Sequence, residues 1–243
     1  MHVYVYDGTT AGFYSAVFDA YKDKDAYLTC DELQLSLTDK IFSVATDGQK
    51  SERVRKKLTS IDAYTEKRIR IALKSGLPEK SQTVFEFLKF FLQNGKNSLD
   101  MLSRSCVLDF ELIIKKILFE RERMLGFLRF SECANGILYA AYSPDNDVTE
   151  IILPHFLNRL RNERFVIHDV KRGKAALYNG ATCIFIDLDK AEIELSEREI
   201  KFAELWQAYY QDVNISDRKH IGQMKRSMPV RYWKFMNEKH SAP

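Results

Sequence analysis

The chain has 243 residues, 45% of them hydrophobic and 12% aromatic, and carries a formal net charge of +3. That composition supports a sizeable core and excludes an intrinsically disordered chain. No apolar run approaches the ~18 residues that a membrane span requires. The gaps between Cys30, Cys106, Cys133 and Cys183 contain no C-x-x-C pair, which argues against a zinc ribbon or a self-contained iron–sulfur motif.

The opening MHVYVYDG alternates β-branched and aromatic residues up to Gly8, so it reads as a strand and not as a targeting segment. With no signal-like start, the expectation is a soluble cytoplasmic protein with free thiols. TTAGFYSAVFDAYK follows with Phe13, Val17, Ala20 and Tyr21 at helical spacing, and Thr9 or Thr10 as the cap. LQLSLTDKIFSVAT reads either as a short strand or as an extended loop.

From residue 51 to about 130 the pattern is helical, with stops at Gly76, followed by Pro78, and at Gly95. The character then changes. The dipeptides Asn135–Gly136 and Asn179–Gly180 and the turn KRGK punctuate strand-like runs. DVTEIILPHFLNRLRNE is helical at its centre, which makes the order ββ-α-βββ, with the N-terminal strand as a possible sixth member. Short turns require antiparallel neighbours. Ser196 and Glu199 form an S-x-x-E capping box ahead of a helix with Phe202, Leu205, Trp206 and Tyr209 on one side. The expected fold is therefore α+β: a central antiparallel sheet packed with N-terminal and C-terminal helices. No repeat or linker divides it, so residues 1–243 read as one unit. It is helical over 50–125, sheet-forming over 126–190, and helical and basic over 196–240.

Chemistry-bearing residues are sparse. FVIHDVKRG places His168 beside Asp169, but neighbours on a strand point to opposite faces, so the two make a poor self-contained dyad. His168 is either a satisfied histidine or part of a site with a distant partner. Asp169 either pairs with the basic turn or faces that site. His155 lies beside Pro154 near a helix start, where it can cap, pack or act. SPDNDV, with Asp145, Asn146 and Asp147, has turn composition. A metal site needs at least three convergent ligands, and no metal-ligand spacing is present. No P-loop, G-x-G-x-x-G or G-x-S-x-G motif occurs. No cofactor is expected.

Charge is segregated along the chain. Residues 50–74 hold nine Lys or Arg against three acids, and residues 217–240 hold seven against two. The stretch 187–204 is acidic, with seven Asp or Glu against three basic residues. The C-terminal basic tract adds Tyr232 and Trp233, and cations beside flat side chains suit phosphate contact with base stacking. A solvated basic face is the plainer alternative.

Four stretches together carry a resemblance: YDGTTAGFYSAVFDAY, GFLRFSE with GILYAAYSPDNDV, LPHFLNRLRNERFVIHDVKRGKAALYNG, and MPVRYWKFMNE. The chain resembles a bacterial family of probable DNA-metabolism or putative DNA-repair proteins, over nearly its whole length and least distinctly over 23–100. The resemblance implies a gene neighbour that is a radical-SAM iron–sulfur protein acting on DNA, and related domains fused to uracil-DNA-glycosylase-like domains. The chain lacks the C-x-x-x-C-x-x-C cluster motif, so the implied role is that of a DNA-binding companion. Phosphate contacts fall to Arg53, Arg55, Lys56, Lys57, Arg129, Arg172, Lys225, Arg226, Arg231 and Lys234. The first alternative is a hydrolase or lyase on modified nucleic acid with His155, His168 and Asp169 as acid–base groups. The second is a docking subunit without nucleic-acid contact. Asn146 stands where the family motif often has histidine, which weakens a catalytic reading of that loop.

Overall fold

Alternation in HVYV turns Val3 and Val5 inward and makes His2–Val5 the first strand, β1. The computed structural model describes residues 1–31, 39–213 and 220–236. The chain divides into two compact units, Met1–Leu118 and Phe119–Pro243. It is an α+β protein.

In the first unit, β1 is followed by α1 (Thr10–Ala20), β2 (Ala26–Thr29) and β3 (Lys40–Ser43). The ambiguous LQLSLTDKIFSVAT thus contains a strand at Lys40–Ser43, while its first part, residues 33–38, lies outside the described residues. All three strands are parallel, in the order β2-β1-β3. The N-terminal strand therefore belongs to a sheet of its own and does not extend the later one. Helices α2 (Gly48–Ile61), α3 (Ala63–Ala72), α4 (Lys80–Asn94) and α5 (Ser105–Phe127) follow. The boundary between the units falls within α5. Phe85, Phe87, Leu88 and Phe91 of α4 and Phe110 of α5 are fully buried. The rings of Phe87 and Phe110 stack with centroids 3.8 Å apart.

Two side chains fasten the start of α2 to the start of α1. Asp7 accepts from the Thr9 amide (2.9 Å) and hydroxyl (2.7 Å) through one oxygen, and from the Thr46 hydroxyl (2.7 Å) through the other. Ser15, fully buried, accepts from the Asp47 amide (3.0 Å). Its hydroxyl lies 3.1 Å from the Asp47 carbonyl and 2.9 Å from that of Ala11. Thr9 caps α1 by accepting from the Gly12 amide. Asp47 caps α2, and Asp62 caps α3.

The second unit holds β4 (Ser131–Glu132), β5 (Leu138–Tyr142), α6 (Thr149–Arg159), β6 (Phe165–Asp169), β7 (Lys174–Tyr178), β8 (Cys183–Asp187), α7 (Glu197–Asp212) and α8 (Ile221–Ser227). A six-residue 3₁₀ helix, Val230–Phe235, lies just before the end of the described chain. The sheet runs β4-β5-β6-β7-β8. It is mixed and not purely antiparallel: β5 and β6 are parallel, the other neighbours antiparallel. The cause is the helix between β5 and β6, because a crossover returns the chain to the edge it started from, whereas a tight turn reverses it. The turn glycines Gly136, Gly173 and Gly180 all have positive φ, as the NG and KRGK signals required. At α7, the Ser196 hydroxyl accepts from the Glu199 amide, but Glu199 reaches the Glu132 amide of β4 instead of closing the box on Ser196. All four cysteines are free. Among the described residues no helix is long and apolar enough to cross a membrane.

The clasp makes two testable demands. A Cβ on Gly12 would stand 2.1 Å from an Asp7 oxygen that three hydroxyl and amide bonds around its carboxylate prevent from moving aside. Gly12→Ala is expected to cost ~1–3 kcal/mol in urea unfolding, and a neutral result would show that the contact is soft. The carboxyls of Asp7, Asp47 and Asp62 are held below the usual range, chiefly by the Thr46 hydroxyl, the Lys50 amide and the Thr65 hydroxyl respectively. A depressed native pKa adds stability that is present above the unfolded value and is lost as pH falls through the native one. Stability should therefore decline as pH drops below about 4. Asp47→Asn, which keeps a capping oxygen but cannot titrate there, should flatten that decline; an unchanged slope would contradict the assignment.

Candidate nucleic-acid interface

His168 and Asp169 close β6 and are both buried. His168 uses both ring nitrogens: Nδ1 lies 2.6 Å from the Tyr139 hydroxyl, and Nε2 lies 2.7 Å from the Leu188 carbonyl. A carbonyl only accepts, so Nε2 donates and, in the neutral ring, Nδ1 accepts from Tyr139. Asp169 accepts from the Lys171 and Arg172 amides at 3.1 and 3.3 Å and from the Arg172 guanidinium at 2.8 Å. The carboxylate thus organises the turn into β7. His155 stands exposed on α6, edge-on to Phe156. The three candidate acid–base groups are not assembled as one: the two buried residues have separate hydrogen-bond sets that consume their polar atoms, and the third faces outward.

Arg172 is equally committed. Besides Asp169, it donates to the carbonyls of Pro144 (3.2 Å) and Asp145 (2.6 Å). Arg129 donates to the Gly126 carbonyl at 2.7 Å, capping the end of α5. Both cations thus make hydrogen bonds within the fold. The loop that Arg172 grips, SPDNDV, leaves the carboxyl end of β5. Its second anchor is Glu120 of α5, a buried acid that no sequence motif singles out. Glu120 accepts from the Asp145 amide (2.8 Å), from the Asn146 amide and side chain (2.8 and 2.6 Å), and from the Tyr232 hydroxyl (2.8 Å). Burial first, and then this carboxylate, push the Tyr232 hydroxyl's pKa up. Lys174 pairs with Asp147. Arg231 pairs with Asp145 at 2.8 Å, donates to the Tyr232 hydroxyl and lies over its ring. The PDN segment is thus a braced loop. No group of three His, Cys, Asp or Glu able to hold a metal occurs among the described residues.

The remaining C-terminal cations stay outward. Lys225 and Arg226 are exposed on α8, and Lys234 is exposed with its ammonium 4.6 Å from the Phe235 ring centre. The other basic positions of this tract, Arg218, Lys219 and Lys239, lie outside the described residues. Four apolar side chains of α7, Phe202, Leu205, Trp206 and Tyr209, are exposed together, and no residue of that helix is buried.

The other basic tract splits by role along α2. Arg55 forms a bidentate pair with Glu52 (2.8 and 2.8 Å), and Lys56 lies 3.8 Å from the same carboxylate. Arg53 and Lys57 are exposed and have no carboxylate partner among the described residues. They face a cleft of about 670 Å³ between α1 and α2, which also presents Phe18, Tyr21, Lys22 and Leu92. The Arg53 guanidinium lies 5.1 Å from the Phe18 ring centre. Phe18 and Tyr21 remain 38% and 39% exposed, unusual for aromatics on a helix whose other faces are buried. Asp19 also borders the cleft, but Lys50 neutralises it at 2.7 and 2.8 Å. The helical spacing of Phe13, Val17 and Ala20 marks the buried face correctly. Tyr21 falls outside it, and Phe18 is the residue that the periodicity should have flagged as misplaced.

The family model of DUF4130, a domain of unknown function, matches residues 78–238. No curated protein matches the chain.

Removing the carboxylate at 120 strands the Asn146 amide and side chain and the Tyr232 hydroxyl in a buried place and takes the acceptor from the part-buried Asp145 amide. Glu120→Ala should cost ~3 kcal/mol or more in urea unfolding, since each unpaired buried donor costs about 1–3 kcal/mol. A loss within about 0.5 kcal/mol, typical of a surface change, would show that the loop stands without it.

Proposed function

We propose that this chain, which belongs to the DUF4130 family, acts in DNA metabolism as a nucleic-acid-binding companion of a catalytic partner. The observation that carries the reading is the α1–α2 cleft, where two cations without carboxylate partners among the described residues stand beside two exposed aromatic rings. A phosphate backbone is bound through Lys and Arg side chains that release counterions, and only cations not already consumed by carboxylates contribute fully. By that criterion Arg53, Lys57, Lys225 and Arg226 are the contributors. Arg55, Lys56, Arg129, Arg172 and Arg231 contribute less, because each is engaged by protein acceptors.

The motif resemblance supplies the partner class: a radical-SAM iron–sulfur protein that modifies DNA. The chain's role in this proposal is to hold the strand while that enzyme performs the chemistry. A hydrolase or lyase role for His155, His168 and Asp169 gains no support from a histidine with both ring nitrogens in use.

The test is DNA binding across a salt series. Wild-type protein should bind, with log affinity falling linearly with log salt concentration. Arg53→Gln with Lys57→Gln should lower affinity and reduce the slope by about 1 for each phosphate no longer neutralised. Arg55→Gln with Lys56→Gln, read alongside, should alter the slope little, since both already share the exposed Glu52 carboxylate. No binding at low salt, or equal weakening by both pairs, would overturn the reading.

A further inference from the structure

We infer that the α1–α2 cleft takes a single strand with an unpaired base, and not duplex DNA. The inference rests on the nucleic-acid reading above and narrows it to a substrate class.

The chemistry of the cleft has two parts that duplex DNA cannot use together. Arg53, Lys57 and Lys22 supply positive charge, which either form of DNA can meet. Phe18 and Tyr21 supply flat apolar faces, which are useful only to a base whose own face is free. In a duplex those faces are stacked on neighbouring base pairs. The cleft's size points the same way. About 670 Å³ lies within the range of small-ligand sites, so it can enclose a base with its sugar and phosphate but no double helix.

The placement of Arg53 strengthens the argument. Its guanidinium already lies 5.1 Å from the Phe18 ring centre, a planar cation over an aromatic face. Unpaired bases stack on aromatic rings and on guanidinium planes alike. Arg53 thus offers a stacking surface and a phosphate donor from one side chain, and Lys57 follows one helical turn later on the same helix. Leu92 provides an apolar wall. The carboxylate of Asp19 would repel a phosphate if bare, but Lys50 holds it in an ion pair.

The experiment compares a fluorescent oligothymidylate with a duplex of equal length, at one salt concentration and across a series. Phe18→Ala with Tyr21→Ala should weaken single-strand binding about 5- to 150-fold, the effect of losing one base stack. The salt slope and the duplex affinity should stay unchanged. Phe18→Tyr, which keeps a ring, should retain single-strand affinity. Arg53→Gln with Lys57→Gln should weaken both forms of DNA and reduce the slope. If the charge variant weakens both forms while the double-alanine variant weakens neither, the single-strand inference fails and the nucleic-acid reading stands. If the charge variant changes nothing, the nucleic-acid reading itself fails. Thymidine monophosphate should compete less well than the oligonucleotide, since it brings one phosphate where the strand brings several; competition as strong as that of the oligonucleotide would overturn the strand assignment. Phe18→Trp provides a readout that does not depend on the alanine variants folding. Its added fluorescence, relative to the parent with its two tryptophans, should be quenched by the single strand and not by duplex. Equal quenching by both, or none, would contradict the inference.

Discussion

The clasp formed by Asp7 and Ser15 sets the geometry on which the candidate interface depends. Asp7, at the carboxyl end of the central strand β1, holds Thr46 just ahead of α2. Ser15, further along α1, holds Asp47, the residue that caps α2. Neither side chain lines the cleft. Their effect is transmitted because helices are stiff: once the first turns of α1 and α2 are fixed side by side, Phe18 and Tyr21 must run alongside Arg53 and Lys57. Gly12 is needed for the same reason, since only a hydrogen leaves room for the Asp7 carboxylate.

The two units treat charge in opposite ways. In the second unit nearly every charged or polar group near the loop 143–148 is spent on structure. Glu120 satisfies four donors, Arg172 three acceptors, and His168 has a partner at each ring nitrogen. Buried polar groups of this kind are costly unless fully paired, and once paired they fix a single loop conformation. In the first unit Arg53 and Lys57 have no carboxylate partner among the described residues and stand beside exposed rings, while the nearby acids Asp19 and Glu52 pair with Lys50 and Arg55. Exposed cations without carboxylates and solvent-facing aromatics contribute little to folding. Their coincidence in a cleft is therefore the feature that most needs a ligand to explain it.

Much of the architecture was legible in the sequence because it rests on local rules. Alternation marked β1, the NG dipeptides marked two turns, and Ser196 marked the start of α7. The mixed sheet was misread because strand direction is decided by what connects two strands and not by the strands themselves; the helix between β5 and β6 already contained the answer. Site residues were less legible. The pairing of Asp169 with Arg172 in the basic turn was one of the two readings the sequence offered, but the backbone carbonyls that Arg172 and Arg129 also hold are displayed by no sequence pattern. Glu120 lies in the charged run FERER, where nothing distinguishes a buried acid from its solvated neighbours. Phe18 was hidden by its apolar surroundings in AVFDAY, and only its place opposite Arg53 sets it apart.

Whether α1 and α2 meet DNA can be read by photocrosslinking. A single-stranded oligonucleotide carrying 5-iodouracil would be bound to the full chain, irradiated, and the modified peptide identified by mass spectrometry. If the cleft is the DNA site, adducts form at Phe18 or Tyr21, on the peptide that includes α1. Adducts confined to residues 220–236, or none above the background seen with Arg53→Gln/Lys57→Gln protein, would contradict it.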